Sequence, residues 1–287
     1  MMKKKLHALY GLKWNPFLPD VPAEALFEHP PLASFRERIR NLATVGGYAL
    51  LVGDPGTGKS GALRRIARDL GSIADVVVGV VTRPQASIFD FYRELGELYG
   101  LSISPSNRWG GTKVLRDRWA EHVESTGVRP VLVVDEAQEM RTEVLNEVRL
   151  LASYMLDSQL LLAVVFAGDQ RLAERLRSRE LIALGSRIRV RLLLGNRAPD
   201  ELREVLEHAL AEAGGPRLLT DGLLQLVTEH AGGNLRTMMN TAAELLEIGL
   251  AREAQKLDEK LFFELYGELS SELSEVGGKR RARGRSR

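Results

Sequence analysis

The sequence is 287 residues long, with 44% hydrophobic residues, 27% charged residues and a formal net charge of +2. This composition is typical of globular proteins and excludes a collagen-like, coiled-coil or wholly disordered chain. The absence of cysteine excludes disulfides, thiol chemistry and cysteine-based zinc sites. Apolar runs such as residues 160–167 are far shorter than the roughly 18 residues that span a bilayer. We therefore expect a soluble cytoplasmic protein that does not bind a membrane.

Changes of composition along the chain predict four regions. Residues 1–33 are rich in proline and predict an extended lead-in segment. Residues 34–197 alternate short β-rich runs with helical periods, whereas residues 198–276 have helical spacing and predict a small all-α lid domain. Residues 277–287 predict a basic disordered tail, because the last nine positions hold six of the 40 basic residues and no acid. Such a tail indicates either a polyanion partner or a solubilising end.

Five apolar runs in the second region are predicted strands. They are Tyr48–Val52, Val76–Val81, Val131–Val134, Leu161–Phe166 and the weaker Arg189–Leu193. Their apolar residues are largely continuous rather than alternating, as expected for strands of a parallel sheet that is buried on both faces. The predicted fold class is therefore α/β, a three-layer domain with a parallel sheet, followed by the small all-α domain.

A glycine-rich phosphate-binding motif follows the first predicted strand and precedes a predicted helix over Gly61–Leu70. Glycines allow backbone N–H groups to converge on phosphate oxygens, and the helix N-terminus adds its dipole. Lys59 should reach the β- and γ-phosphates, and Ser60 should ligate Mg²⁺. The predicted nucleotide-binding residues are Gly53, Asp54, Pro55, Gly56, Thr57, Gly58, Lys59, Ser60 and Gly61.

Two acidic residues follow the predicted strand Val131–Val134. Carboxylates at the carboxyl end of a parallel strand lie in the crevice where α/β sheets bind ligands. Asp135 is predicted to hold Mg²⁺, and Glu136 is predicted to orient and polarise the attacking water as a general base. Two surface acids that cap the next helix are the alternative. Together with the phosphate-binding motif, the pair predicts nucleotide hydrolysis.

These two motifs and four others follow one another along the chain in the expected order, and together they resemble the AAA+ ATPases of the ExeA/TniB/TnsC type, with MuB and IstB as more distant relatives. The resemblance covers residues from about 10 to 250 and implies ATP and Mg²⁺ as cofactors and a homo-oligomer, either a ring or a helical filament. The additional motifs are GLKWNPF (Gly11–Phe17), FAGDQRL (Phe166–Leu172), LGSRI (Leu184–Ile188) and GGNLR (Gly232–Arg236).

The resemblance implies roles for several residues. In such proteins the segment that corresponds to the one containing Phe17 lies over the adenine, although this ring could equally be a packing residue. Asp169 or Gln170 would contact the lytic water or the γ-phosphate, with an ordinary Asx-turn as the alternative. Arg187 would act on the nucleotide of a neighbouring subunit, and Arg236 would approach the γ-phosphate from the lid. Two other arginines remain candidates for the trans-acting role, Arg179 and Arg189.

Candidate DNA contacts follow the second predicted strand, in two segments expected to be loops. They are Arg83, Arg108 and Lys113, with Trp109 beside them as a stacking or a buried residue. Secretion-type ExeA proteins carry a membrane-spanning segment and an envelope-binding domain, and we expect neither from this sequence. We therefore expect an ATPase that binds double-stranded DNA without sequence preference and regulates transposition by target-site selection and transposase recruitment. The alternatives are an ExeA-like assembly ATPase that acts on protein partners and a helicase-loader-like ATPase.

Overall fold

The computed structural model describes residues 2–103, 108–155 and 158–267, and it divides into two compact units. One unit spans Glu28–Gly195, and the other contains the described residues of 1–27 and from 196 onward. The predicted tail at 277–287 lies outside the described residues, as do the last nine positions of the predicted lid, 268–276.

The unit Glu28–Gly195 is built around a parallel sheet of five strands in the order β2-β3-β6-β1-β7. The remaining two strands, β4 and β5, form a short antiparallel pair. The described strands are β1 (Gly47–Gly53), β2 (Val78–Val81), β3 (Val131–Val134), β4 (Ser153–Tyr154), β5 (Gln159–Leu160), β6 (Ala163–Gly168) and β7 (Ile188–Leu194).

Helices α2 to α8 belong to this unit, and α1 with α9 to α11 belong to the other. Two 3-10 helices occupy Ala23–Ala25 and Ala137–Glu139. The described α-helices are α1 (Met2–Tyr10), α2 (Pro30–Val45), α3 (Lys59–Leu70), α4 (Ile88–Tyr99), α5 (Arg108–Thr126), α6 (Thr142–Ala152), α7 (Gln170–Arg175), α8 (Ile182–Gly185), α9 (Pro199–Ala213), α10 (Asp221–His230) and α11 (Leu235–Ala251).

Hydrophobic cores cover both faces of the parallel sheet, which confirms the predicted three-layer α/β fold. Successive residues of a strand point to opposite faces, so Leu50 joins the core with α4 to α8 and Leu51 joins the core with α2 and α3. This arrangement explains the continuous apolar runs, because both faces of each central strand are removed from water.

The predicted ends of two elements shift for local reasons. Strand β6 begins at Ala163 rather than at Leu161, because the Leu161 N–H is bonded to the carbonyl oxygen of Ala152 at the end of α6. Helix α3 begins at Lys59 rather than at Gly61, directly after Gly58 in the left-handed conformation.

The prediction of an extended conformation for residues 1–33 is wrong at both ends of that segment. Residues Met2–Tyr10 form α1, whose Leu6 is buried in the hydrophobic core of its own unit. Pro30 and Pro31 occupy the first turn of α2, where the missing N–H of proline has no partner to lose. Proline content was therefore a poor guide to extended structure here.

The second unit has a core formed mainly by α1, α9, α10 and α11. An isolated parallel bridge joins Leu219 to Leu257. The role of these helices as a lid stays a prediction. Among the helices of the described residues, none combines the length and the apolar character needed to cross a membrane.

Candidate active site

The phosphate-binding loop connects β1 to α3 at the carboxyl edge of the sheet. Gly56 and Gly58 have φ angles of +88° and +99°, which residues with a side chain rarely adopt. Gly53 is required for a different reason: a Cβ there would lie 2.6 Å from Thr57 Oγ1 and 2.7 Å from the Leu194 carbonyl oxygen. These glycines hold the loop in a shape in which backbone N–H groups can surround phosphate oxygens.

Lys59 is the first residue of α3, and only 6% of its surface is exposed. Its ammonium donates hydrogen bonds to the carbonyl oxygens of Gly53, at 2.7 Å, and Asp54, at 3.2 Å. The positive charge is therefore held at the loop, at the N-terminus of a helix whose dipole also favours anions. The loop can bind the phosphates of a nucleotide.

Ser60 and Asp135 are brought into contact by the fold. The Ser60 hydroxyl donates a 2.6 Å hydrogen bond to Asp135 Oδ2. A hydroxyl and a carboxylate are the hard oxygen ligands that suit Mg²⁺, which usually binds through one or two protein groups together with water and substrate phosphates. The described residues contain no group of three or more His, Cys, Asp or Glu arranged to hold a metal. The residues thus fit a magnesium ion that a nucleotide helps to bind.

Glu136 follows Asp135 in an unusual backbone conformation, with φ +50° and ψ +39°. Its carboxylate accepts a hydrogen bond from Nε2 of Gln138, a contact that sequence reasoning missed. The Gln138 Oε1 atom in turn accepts a 3.3 Å hydrogen bond from the Asp169 N–H. Gln138 therefore connects the end of β3 to the end of β6, two strands that are neighbours in the sheet.

Asp169 lies after β6 and caps α7, with its carboxylate accepting a 2.9 Å hydrogen bond from the Arg171 N–H. The local turn considered as the alternative is thus present. Burial of the Asp169 carboxyl raises its pKa, but the hydrogen bonds and charge of Arg171 and the charge of Lys59 outweigh burial. The pKa of Asp169 is accordingly lowered from its ordinary value, and the carboxylate is ionised at neutral pH.

Arg187 lies between α8 and β7 in the same unit and is partly buried. Its guanidinium donates a 2.5 Å hydrogen bond to the Ala183 carbonyl oxygen. Arg179 and Arg189, the other candidates for a trans-acting arginine, are exposed. The action of any of these three arginines on the nucleotide of a neighbouring subunit stays a prediction.

Phe17 and Arg236 belong to the other unit. Phe17 is 4% exposed and lies in the hydrophobic core of that unit. Trp14, in the same motif, is partly buried, with the Lys13 ammonium 5.6 Å from its ring centre. Arg236 is exposed in the first turn of α11, after the Asn234 cap. The roles of Phe17 and Arg236 toward a nucleotide stay predictions.

Of the predicted DNA contacts, Arg83 is exposed in the loop after β2, as expected. The second expected loop is wrong in the described residues, because α5 begins at Arg108 and includes Lys113. Gly110 and Gly111 do not interrupt this helix; a Cβ at Gly111 would lie 2.8 Å from the Ile103 side chain, so the glycine permits close packing. The side chain of Arg108 lies outside the part of the chain that the structure describes.

Trp109 is 79% exposed, and the buried tryptophan of α5 is Trp119. The alternative of a buried Trp109 is therefore wrong. Lys113 is exposed one turn farther along the helix.

Comparison with known proteins places this site in a family. Residues 43–176 match the model of a family described as AAA domain. General secretion pathway protein A of Aeromonas hydrophila is 28% identical over 237 residues, which cover 81% of this chain and 41% of that protein. The ATP-dependent target DNA activator B of Escherichia phage Mu is 24% identical over 250 residues, which cover 80% of this chain and 73% of the activator.

The fold has solved counterparts. Cdc6p of Pyrobaculum aerophilum aligns with 84% of this chain and 67% of its own, at 15% identity and a TM-score of 0.67. At that identity the similarity supports the fold alone. The chain spans less than half of the secretion protein but most of the phage activator. We conclude that the chain contains an AAA domain and is an ATPase, and that it is similar over about 80% of its length to the secretion protein and to the phage activator.

Proposed function

We propose that this ATPase assembles on double-stranded DNA in its ATP-bound state and regulates transposition, by selecting target DNA and recruiting a transposase. The observation that carries the proposal is the match to the phage Mu activator, which extends over 73% of that protein. The corresponding match covers 41% of the secretion protein. A larger part of the activator than of the secretion protein is therefore represented in this chain. We place this activity in the cytoplasm.

Within the site, we assign ATP hydrolysis to residues at the carboxyl ends of β1, β3 and β6. Lys59 and the loop N–H groups bind the phosphates, and Ser60 with Asp135 holds Mg²⁺. This ion would supply positive charge that stabilises the negative charge developing on the phosphoryl group. Glu136 accepts a proton from the attacking water, and Asp169 borders the same edge of the sheet.

Assembly would follow from a site that is shared between subunits. An arginine that reaches the nucleotide of a neighbour makes ATP binding favour the oligomer, and hydrolysis removes that preference. We assign this role to Arg187. The resulting homo-oligomer, a ring or a helical filament, would repeat the same DNA-binding groups once per subunit.

For DNA binding we assign Arg83, Trp109 and Lys113, with Arg108 beside them in sequence. Arg83 and Lys113 can contact phosphates, and an exposed aromatic side chain can stack on a base or sugar. Repetition over several subunits converts weak phosphate contacts into strong, salt-sensitive binding. Since contacts to phosphates carry no sequence information, binding should be largely independent of sequence.

A mobility-shift experiment with duplex DNA tests the proposal. The wild-type protein should shift DNA with ATP and much less with ADP or without nucleotide. The Glu136→Gln variant should form a long-lived complex with ATP, because hydrolysis is strongly slowed while binding is retained. Lys59→Ala should abolish the complex, whereas Lys256→Ala, which removes an exposed lysine of the other unit, should behave as wild type. Equal DNA binding by Glu136→Gln and Lys59→Ala would contradict the proposed mechanism.

A second candidate function rests on the 28% identity to the secretion protein. In that case the ATPase would act on protein partners without nucleic acid, and no nucleotide state would retain DNA. A preference for single strands in the same experiment would instead indicate a helicase-loader-like activity. The strand preference and the ATP dependence of the shift separate the three functions.

A further inference from the structure

Gln138 is a buried polar residue between the two strands that carry Glu136 and Asp169. Only 7% of its surface is exposed. Its amide makes two hydrogen bonds: Nε2 donates to Glu136 Oε2, and Oε1 accepts from the Asp169 N–H at 3.3 Å. Neither bond belongs to a helix or to the sheet, so the side chain links two segments that follow different strands.

The chemistry of the two partners fixes the orientation of the amide. A carboxylate can only accept hydrogen bonds, whereas a backbone N–H can only donate. If the amide were rotated by 180°, its oxygen would face the Glu136 carboxylate and its NH₂ group would face the Asp169 N–H. Both contacts would then be repulsive. The Gln138 amide therefore presents its NH₂ group to the Glu136 carboxylate and its oxygen to the Asp169 N–H.

The surrounding backbone holds Gln138 itself in place. Arg175 of α7 donates a 2.5 Å hydrogen bond to the Gln138 carbonyl oxygen and a 2.8 Å bond to that of Met140. On the other side, a Cβ at Gly168 would lie 2.5 Å from Gln138 Oε1. The absence of a side chain at Gly168 provides the space that the amide occupies.

We propose that Gln138 is a positioning residue for ATP hydrolysis, which holds the Glu136 carboxylate in place and joins it to the turn at Asp169. This inference rests on the proposed role of Glu136 as general base. A carboxylate without this bond would rotate about its side-chain torsions, and a small misplacement of a catalytic group lowers the rate strongly. Because Gln138 also bonds the N–H of Asp169, displacement of that turn would move the base as well.

The test compares Gln138→Met, which keeps the length of the side chain without hydrogen-bonding groups, with the wild-type protein. We expect kcat for ATP hydrolysis to fall about 10- to 100-fold, with KM changed less than about twofold, since the phosphate-binding loop is untouched. Gln138→Asn retains the amide on a shorter side chain and serves as the second variant if Gln138→Met does not fold. Gln225→Met, at an exposed glutamine of the other unit, is the matched control.

A double-mutant cycle separates positioning from a general structural role. If Gln138 acts through Glu136, adding Gln138→Met to Glu136→Gln should cause little further loss in single-turnover rate. A loss of the same size in both backgrounds would overturn the proposal, and so would a wild-type kcat in the folded Gln138 variants. If Glu136→Gln itself hydrolyses ATP at the wild-type rate, the assignment of the general base fails instead.

Discussion

The Ser60 hydroxyl donates a 2.6 Å hydrogen bond to Asp135 Oδ2, which joins the start of α3 to the end of β3. The two residues are separated by 75 positions in the sequence. In the sheet, β6 lies between β3, which precedes Asp135, and β1, which precedes the phosphate-binding loop. Because all five strands run parallel, their carboxyl ends meet at one edge. This edge brings together a group that can bind Mg²⁺ and a loop that can bind phosphates.

The first prediction concerns magnesium. Chelation of divalent ions should abolish ATP hydrolysis, and added Mg²⁺ should restore it. Asp135→Asn keeps the size of the side chain but removes its charge. We expect this variant to need at least about 10-fold more Mg²⁺ for half-maximal activity. A magnesium titration of the hydrolysis rate measures this, with Asp20→Asn, at an exposed aspartate of the other unit, as the control. An unchanged magnesium requirement in Asp135→Asn would rule out the assigned ligand.

The second prediction concerns the trans-acting arginine. Arg187→Ala should lower ATP hydrolysis strongly, because charge on the transferring phosphoryl group is no longer neutralised by the neighbouring subunit. A 1:1 mixture with Glu136→Gln should regain activity, since an intact site of the first variant can adjoin an intact arginine of the second. Random assembly makes about a quarter of the interfaces functional when each site needs a contribution from two copies.

Hydrolysis rates of the mixture and of each variant alone provide the measurement. Arg179→Ala and Arg189→Ala, tested in the same way, identify which of the three arginines acts. If mixing never restores activity for any of them, the shared site is wrong.

The third prediction concerns DNA binding by the first turns of α5. Lys113→Gln should weaken DNA binding and reduce the slope of log K against log salt by about 1 for each phosphate that the lysine neutralises. Trp109→Ala should weaken binding without changing that slope, because stacking involves no counterion release. Fluorescence anisotropy at several salt concentrations measures both effects, with Lys256→Gln as the control. Identical salt slopes for Lys113→Gln and wild type would exclude this lysine from the DNA interface.

The fourth prediction concerns the pH dependence of stability at Asp169. Its pKa is lowered from an ordinary value of 3.8, so the ionised carboxylate stabilises the folded state. This stabilisation is fully present above the unfolded pKa and is lost as the pH falls through the lowered folded pKa. Asp169→Asn should therefore be less stable than wild type at pH 7, and the difference should shrink below about pH 4.

Denaturant unfolding from pH 7 to pH 3 measures this difference. Asparagine caps helices about as well as aspartate, so the variant mainly removes the charge that interacts with Arg171. A stability difference that is the same at both ends of the pH range would show that the charge of Asp169 contributes nothing.

Much of the fold was predictable from the sequence because its signals are local. A buried parallel strand gives a continuous apolar run, and the phosphate-binding motif needs glycine at positions with positive φ, as at Gly56 and Gly58. The position of Asp135 and Glu136 at a strand end followed from the apolar run directly before them. The order of the strands did not, because the run over Val131–Val134 contains nothing that specifies β6 as its neighbour.

The side-chain contacts of the site were less predictable. Gln138 is one polar residue after a strand, and its two bonds depend on Asp169 being brought beside it by the sheet. The helical start of α5 was missed because Gly110 and Gly111 disfavour a helix by propensity. Packing of Gly111 close to Ile103 and Tyr92 overrides that propensity. Such tertiary effects leave no periodic pattern in the sequence.

The two bonds from the Lys59 ammonium to the Gly53 and Asp54 carbonyl oxygens have a consequence for affinity. They restrict the lysine side chain to few rotamers and hold its charge beside the loop. A side chain restrained in this way loses little conformational entropy when it binds a phosphate. Such preorganisation should strengthen nucleotide binding by lowering an entropic cost rather than by adding a contact.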